Sequence, residues 1–289
     1  MPVSSPPKTG AAHLGWPTAW QSSLPHFVAH WFRTLHRANP VLSGAGWLHM
    51  LLLPVALVAL VGDERLVTNL NPWVKPLKFL LSGLIYLWSL GWLLADLPAL
   101  AQRAVRRISW GVAVAMVMEI VVICGQAARG TTSHYNTSSA LDGALFGLMG
   151  IFILLNTVLI IWALYLVWKY RPHGPASYVW GVRLGVLLFL VGSAVGGAMI
   201  SHAAHTIGGP DGGPGLPGIG WSTRAGDLRI AHFLGLHSLQ LLPLLGWYLS
   251  RRLPRRAVLL TWLGAAAYTG LVAWLYTQAL HGVPLVAGR

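Results

Sequence analysis

Six of the twelve histidines lie at or near one end of the apolar segments of this chain, which has only seven acidic residues. They are His134, His202, His205, His232, His237 and His281. A neutral imidazole is a common ligand of haem iron and of Zn, Cu or Fe ions. Histidines gathered at one end of a helical bundle therefore predict a haem or metal site there.

His202 and His237 are the strongest candidates for a pair of haem ligands. His202 lies at the end of one apolar segment, about one turn before His205, and His237 lies about 9 Å beyond the start of the next. On adjacent antiparallel helices they would reach similar depths, as a b-type haem with two histidine ligands requires. His205 and His232 are alternative ligands, and His202, His205, His232 and His237 together are the candidate set for a single metal ion.

Three further residues complete the predicted site. Arg129 and Arg229 lie at the same end of the bundle, where they are candidate partners for haem propionates. Glu119 lies about halfway along the third apolar segment, some 15 Å from its start. A carboxylate at this depth is costly, so we expect Glu119 to handle protons in catalysis. Structural roles stay open, because histidines at helix ends bind loop carbonyls and a neutral Glu119 can bond a neighbouring helix.

The elements that must position these residues are membrane helices. Of the 289 residues, 55% are hydrophobic and 9% are charged, whereas a soluble domain has about a quarter charged residues. Seven apolar segments are long enough to cross a bilayer core of about 30 Å. They are Ala45–Gly62, Pro76–Ala95, Ser109–Ala128, Gly143–Trp168, Tyr178–Ser201, Ala231–Ser250 and Ala257–Leu280. The predicted fold is an all-α polytopic bundle of about seven transmembrane helices over residues 45–281.

The two ends of the chain lie outside this bundle. Residues 26–38 alternate between an apolar and a basic helical face, formed by Phe27, Trp31 and Leu35 and by His30, Arg33 and Arg37. This pattern is typical of a helix that lies in the membrane surface. We therefore predict a cytoplasmic N-terminal segment (1–44) with an interfacial helix, and an external tail (282–289).

The positive charge defines an orientation rather than a nucleic-acid surface. Thirteen of the 20 Lys and Arg residues fall on the side of the N-terminus, which favours a cytoplasmic N-terminus and an external C-terminus. Lys75 and Lys78 lie on the opposite side, where they either bind a local anion or snorkel from a helix start; we favour snorkelling. The single cysteine, Cys124, excludes a disulfide framework, a four-thiolate iron–sulfur cluster and c-type haem attachment.

Two glycine pairs, Gly143/Gly147 and Gly192/Gly196, have the G-x-x-x-G spacing. In membrane helices this spacing predicts close packing against a neighbouring helix.

Three segments resemble motifs of uncharacterised bacterial polytopic inner-membrane proteins: 71–79, Arg129–Asn136 and Gly226–Gln240. No activity is established for such proteins. The resemblance implies a bacterial inner-membrane location and assigns no role to any residue.

Three functions follow as hypotheses. The first is a redox or electron-transfer protein with haem b or a metal ion near the outer face, working with a quinone or another redox partner among the membrane lipids. The second is a zinc-dependent membrane hydrolase, with zinc-activated water beside Glu119 and a lipid substrate. The third is a proton-coupled carrier or binding protein that uses Glu119. Nucleic acid is not an expected partner.

Overall fold

A computed structural model describes residues 24–288, which form a largely helical bundle. Seven helices are long and apolar enough to cross a membrane, which confirms the predicted all-α polytopic fold. The helices are α1 (Leu24–Ala38), α2 (Pro40–Gly62), α3 (Val74–Ala95), α4 (Gln102–Ala128), α5 (Ala140–Lys169), α6 (Ala176–Ser201), α7 (Leu228–Arg252) and α8 (Ala257–Leu280). A short 3₁₀ turn, Ala99–Ala101, precedes α4. The strands β1 (Thr206–Ile207) and β2 (Gly226–Asp227) pair antiparallel within the α6–α7 connection.

Local capping explains why some helices begin before the apolar segment does. The Asn39 side chain accepts the backbone N–H of Leu42 at 3.1 Å, and Pro40 occupies the first turn, where it needs no N–H partner. Helix α2 therefore begins five residues before the predicted start at Ala45. Asp227 caps α7 in the same way.

The spanning helices form two sub-bundles, α2–α5 and α6–α8, which meet where α5 packs on α6 and α3 on α7. Because consecutive helices are antiparallel, the connections fall at two ends. The α1 end has the short connections 96–101, 170–175 and 253–256, and the long-loop end has 63–73, 129–139, 202–227 and the tail from residue 281.

Helices α6 and α7 pack backbone against backbone. A Cβ added to Gly192 would lie 2.6 Å from the carbonyl carbon of Gly235, and Gly196 also faces α7. The predicted close packing is therefore confirmed for this pair. It is wrong for Gly143 and Gly147, because no described atom lies within 4 Å of the Cβ position of either residue. These two glycines lie on a side of α5 that no described helix covers.

The largest apolar core fills the half of the bundle nearest the α1 end. It includes the fully buried residues Leu42, Leu87, Leu90, Ile108 and Val112. Apolar side chains therefore close the bundle on this side, and buried polar groups here have protein partners, as Asn39 has in Ser109.

Helix α1 is amphipathic, as predicted, and packs on α2 and α3. Leu35 is buried whereas Arg33 and Arg37 are exposed. The side chains of Phe27 and Trp31, and residues 1–23 of the predicted N-terminal segment, lie outside the part of the chain that the structure describes.

Candidate functional site

Seven ionisable side chains meet at the long-loop end where the two sub-bundles join. Their charges act on one another, since Lys75 interacts with Glu119 and Arg229, and His134 interacts with Lys75, His205 and His232. We call this set the polar cluster. Its members are Lys75 and Lys78 of α3, Glu119 of α4, His134 and His205 of the loops, and Arg229 and His232 of α7.

Glu119 is the most deeply placed member of the polar cluster. It is 3% exposed and lies nine residues before the end of α4 at Ala128, about 13 Å along the helix axis. Its Oε1 has no hydrogen-bond partner among the described residues. Lys75 is the cation that acts on it, but the two groups form no ion pair within 4.0 Å.

Lys75 and Lys78 lie three residues apart on α3 and differ in their partners. Lys78 Nζ donates a hydrogen bond to the carbonyl oxygen of Ile219 at 3.0 Å. Lys75 Nζ lies 5.7 Å from the centroid of the Phe79 ring and makes no hydrogen bond or ion pair within residues 24–288. The ammonium of Lys75 therefore keeps its three donors for another group.

Arg229 ties the long α6–α7 connection to the start of α7. Its guanidinium forms a two-point ion pair with Asp227, with Nε–Oδ1 at 2.9 Å and NH2–Oδ2 at 2.6 Å. The same group donates to the carbonyl oxygen of Gly220 at 2.5 Å. Burial opposes ionisation of Asp227, but Arg229 and the N–H of Ser222 still hold its pKa below the usual range. The Nε donor and both NH2 donors of Arg229 thus have protein partners.

The ring orientations of His232 and His205 leave one nitrogen of each free. His232 Nδ1 lies 2.7 Å from the carbonyl oxygen of Gly192. A carbonyl can only accept, so Nδ1 carries the proton and Nε2 keeps its lone pair. His205 Nδ1 lies 3.2 Å from Asp211 Oδ1 and 3.1 Å from Thr206 Oγ1, which likewise leaves Nε2 available.

His134 sits among aromatic rings in the α4–α5 connection. Its ring centroid lies 5.8 Å from that of Phe79 and 6.2 Å from that of Phe146, and its Nδ1 lies 3.1 Å from Ser133 Oγ. Burial first, and then Lys75 and the neighbouring histidines, lower the pKa of His134 well below its ordinary value. Burial and Arg229 also lower the pKa of His205. Both rings are therefore neutral at physiological pH.

The structure does not bring His202 and His237 to one depth. The Gly192–Gly235 contact sets the register of α6 against α7. His202 is ten residues from Gly192 towards the long-loop end, about 15 Å away, where it ends α6 and is exposed. His237 lies two residues beyond Gly235 in the other direction and packs on Phe233, with ring centroids 4.2 Å apart. The predicted matched depth is wrong, so this pair does not fit a haem with two histidine ligands.

Arg129 is engaged within its own helix connection. It forms an ion pair with Asp142 at 2.6 Å and donates to the side chain of Gln126. Gln126 also donates to Asp142 at 2.8 Å. These contacts join the end of α4 to the start of α5. His281, at the end of α8, is exposed.

The described residues do not assemble the predicted metal site. No group of three or more His, Cys, Asp or Glu residues within 24–288 is placed to hold a metal ion. Of the four candidate ligands, His205 and His232 belong to the polar cluster, whereas His202 and His237 do not. A site for one ion would need ligands beyond this set.

Sequence reasoning placed Glu119, His205, His232 and Arg229 in a site, and the structure links them through their electrostatic interactions with Lys75 and His134. It did not select Lys75, Lys78 or His134 as site residues. The sequence did distinguish the two lysines, because Lys75 and Lys78 lie at the end of the bundle that has fewer basic residues. Snorkelling was the favoured interpretation; Lys75 is half-buried, with its ammonium 5.7 Å from the centroid of the Phe79 ring.

No family model, no curated protein and no solved structure matches this chain. The function has to be inferred from the site itself.

Proposed function

We propose that this chain is a bacterial inner-membrane protein that binds an acidic small molecule at the polar cluster and exchanges a proton with it. It would act as a binding protein or a proton-coupled carrier. The N-terminus would be cytoplasmic, so that the long-loop end and the polar cluster face the outside. This orientation rests on the thirteen basic residues at the other side.

One observation carries the proposal. Lys75 is half-buried, its ammonium has no hydrogen-bonding partner in the described part of the chain, and its charge acts on Glu119, whose buried Oε1 is also unpartnered. An ammonium that is partly withdrawn from water and makes no hydrogen bond within the protein retains its donors for a ligand. A carboxylate or phosphate bound between them would accept the hydrogen bonds of Lys75 and take part in proton exchange with Glu119.

The other members of the polar cluster set its chemistry. Lys78 and Arg229 add positive potential and are held in place by the Ile219 and Gly220 carbonyls. The free Nε2 atoms of His205 and His232 are acceptors that suit a ligand with a hydroxyl or protonated group. Such a site favours an anion that also carries hydrogen-bond donors.

The first test measures anion binding. We expect inorganic phosphate or succinate to bind the detergent-purified protein in isothermal titration calorimetry. Lys75→Met should weaken binding about tenfold or more, because it removes a charge-assisted hydrogen bond of roughly 1.5–3 kcal/mol. Lys169→Met is the matched control, since this lysine packs on Tyr165 at the α1 end. Equal affinity in both variants, or no binding of either anion, would contradict the proposal.

The second test measures the proton. Titrations of the same anion in buffers of different ionisation enthalpy report the protons taken up or released on binding. We expect Glu119→Gln to abolish this exchange while the anion still binds through Lys75. A carrier would also move protons into liposomes together with the anion, and the same variant would stop that flux. Proton exchange that persists in Glu119→Gln would remove Glu119 from the proposal.

A second candidate is a redox protein with haem b or a metal ion. The favouring observation is that His134, His205 and His232 each engage Nδ1 and leave Nε2 free, as metal-bound histidines commonly do. A reduced-minus-oxidised visible spectrum and elemental analysis of the pure protein test it. A haem α-band or a stoichiometric metal, lost in His232→Ala, would favour this candidate. Zinc without haem would favour the hydrolase version.

A further inference from the structure

A second buried group with an unused polar atom lies deeper in the membrane. His49, in the middle of α2, is 0% exposed. Its Nδ1 lies 2.9 Å from the carbonyl oxygen of Ala45. Because that oxygen can only accept, Nδ1 carries the proton and Nε2 holds an unshared lone pair. This Nε2 has no partner among the described residues.

The missing side chain of Gly83 makes room for this ring. A Cβ on Gly83 would lie 2.7 Å from His49 Cδ2 and 2.8 Å from His49 Nε2, and 3.5 Å from Met116 Cε. The Nε2 atom therefore lies against the backbone of α3 and close to Met116 of α4. Glu119 is one turn further along the same face of α4, about 4.5 Å along the axis. The two unpartnered buried atoms, Glu119 Oε1 and His49 Nε2, thus lie about one helical turn apart in depth.

We propose that His49 is a second proton-binding site, which receives its proton from Glu119 through a water molecule between the two side chains. This proposal rests on the proposed function, in which Glu119 exchanges protons with the bound anion. In the transfer, the O–H bond of the neutral carboxyl group breaks and an N–H bond forms at Nε2. The products are a carboxylate and an imidazolium, which stabilise each other, and no electron is transferred.

The surroundings of His49 leave Glu119 as its natural partner. Among titratable groups on the elements packed against α2, Tyr86 of α3 is directed away, since it bonds Asn156 at 2.9 Å and stacks on Phe189. Measured along α3 from Gly83, Lys75 lies about 12 Å and Lys78 about 7.5 Å towards the long-loop end, and His36 of α1 lies at the other end, near Ser43. The apolar core around Leu42 and Leu87 closes the α1 side. His49 therefore stores a proton that enters and leaves through the polar cluster.

The test is a nitrogen-15 NMR titration of the full-length protein, labelled at histidine, in lipid nanodiscs. The signals of His49 are those that disappear in the His49→Asn variant. We expect Nε2 of His49 to take up a proton as the pH falls from about 9 to about 4. In Glu119→Gln the midpoint should fall by at least about one pH unit, since the neighbouring carboxylate is gone. Glu119→Asp, which keeps the charge one methylene further away, should give a smaller shift.

Glu64→Gln is the matched control, because it makes the same chemical change at an exposed residue of the α2–α3 connection. A His49 ring that stays neutral in the wild type throughout the range would overturn the proposal. A midpoint that is the same in the wild type and in Glu119→Gln would do so as well. Calorimetry on the same samples separates the two proposals. If an anion binds in a way that requires Lys75 while His49 takes up no proton, only the His49 site is refuted. A His49 titration without anion binding refutes the proposed function alone.

Discussion

Lys75 and Glu119 have opposite charges and interact, yet they form no ion pair within 4.0 Å. Their neighbours are better satisfied, since Lys78 and Arg229 each bind a loop carbonyl. Unsatisfied buried polar atoms are uncommon in folded proteins, and each needs a physical explanation such as a ligand, a water molecule or a proton. At the scale of single residues, the unsatisfied buried atoms of Glu119 and His49, together with the unpartnered ammonium of the half-buried Lys75, are therefore the most informative features of this chain.

A carboxyl group at the α1 end, that of Asp96, predicts how the stability of the protein depends on pH. Asp96, just after α3, accepts a hydrogen bond from the hydroxyl of Tyr178, and its carbonyl oxygen accepts the backbone N–H of His173 at 2.9 Å. Burial raises the pKa of Asp96 from 3.8 to about 6, against the smaller opposing effects of Tyr178 and His173. The folded protein therefore binds this proton more tightly than the unfolded chain does.

We expect the contribution of Asp96 to stability to be complete below about pH 4 and to fall as the pH rises through about 6. Asp96→Asn keeps the shape but cannot ionise, so the thermal unfolding midpoint in detergent should vary less with pH in this window. Glu64→Gln, at an exposed carboxyl group, should keep the wild-type slope. An unchanged slope in Asp96→Asn would contradict the assignment.

At the scale of elements, the α6–α7 contact determines which side chains can meet. Gly192 touches the backbone of Gly235, and the carbonyl oxygen of Gly192 accepts the Nδ1 proton of His232. The same contact places the exposed His202 beyond the end of α6 and the half-buried His237 at a deeper level of α7. A change at Gly192 would therefore disturb both helix packing and one histidine of the polar cluster.

Gly192→Ala should destabilise the protein by on the order of 1–3 kcal/mol, because its Cβ would meet a backbone atom that cannot give way. Gly147→Ala is the matched control in a G-x-x-x-G pair with no described neighbour within 4 Å. It should be neutral or stabilising by up to about 1 kcal/mol, since alanine favours the helix. Unfolding midpoints in detergent compare the two. Equal midpoints would show that α6 and α7 are not in the close contact described.

Spacing alone does not tell which glycine pair packs, because both pairs have the same four-residue repeat. Gly192 and Gly196 lie on the side of α6 that packs on α7, where Gly192 contacts Gly235. Gly143 and Gly147 lie near the start of α5, on a side with no described helix. Helix ends were easier to predict, since polar capping residues and prolines stand in the sequence next to the apolar segments. The exception is α2, which begins at the Asn39 cap, earlier than hydropathy indicates.

At the scale of the whole molecule, the polar cluster lies where two sub-bundles meet, and the α1 side is closed by the apolar core. Access to the site is therefore expected from the long-loop end. Orientation in the membrane decides whether that access is from outside the cell. The basic residues near the α1 end predict that it is.

Cysteine labelling tests this orientation. In a Cys124→Ser background, Thr137→Cys adds a thiol to an exposed position of the long-loop end, and Arg255→Cys adds one to an exposed position of the α1 end. A membrane-impermeant maleimide should label the first variant in intact bacterial cells and the second only after permeabilisation. The reverse pattern would place the polar cluster on the cytoplasmic side.

The sequence by itself determined the number of spans, the end of the bundle at which each loop lies and the end at which six of the twelve histidines gather. These properties follow from hydropathy and chain order, because each apolar stretch must cross the bilayer and the next must return. Only the tertiary structure decided which side chains meet. The register of α6 on α7 separated His202 from His237, and the packing of α3 on α4 brought Lys75 within electrostatic reach of Glu119. Contacts between helices depend on the rotation and depth of each one, and no local pattern of residues specifies them.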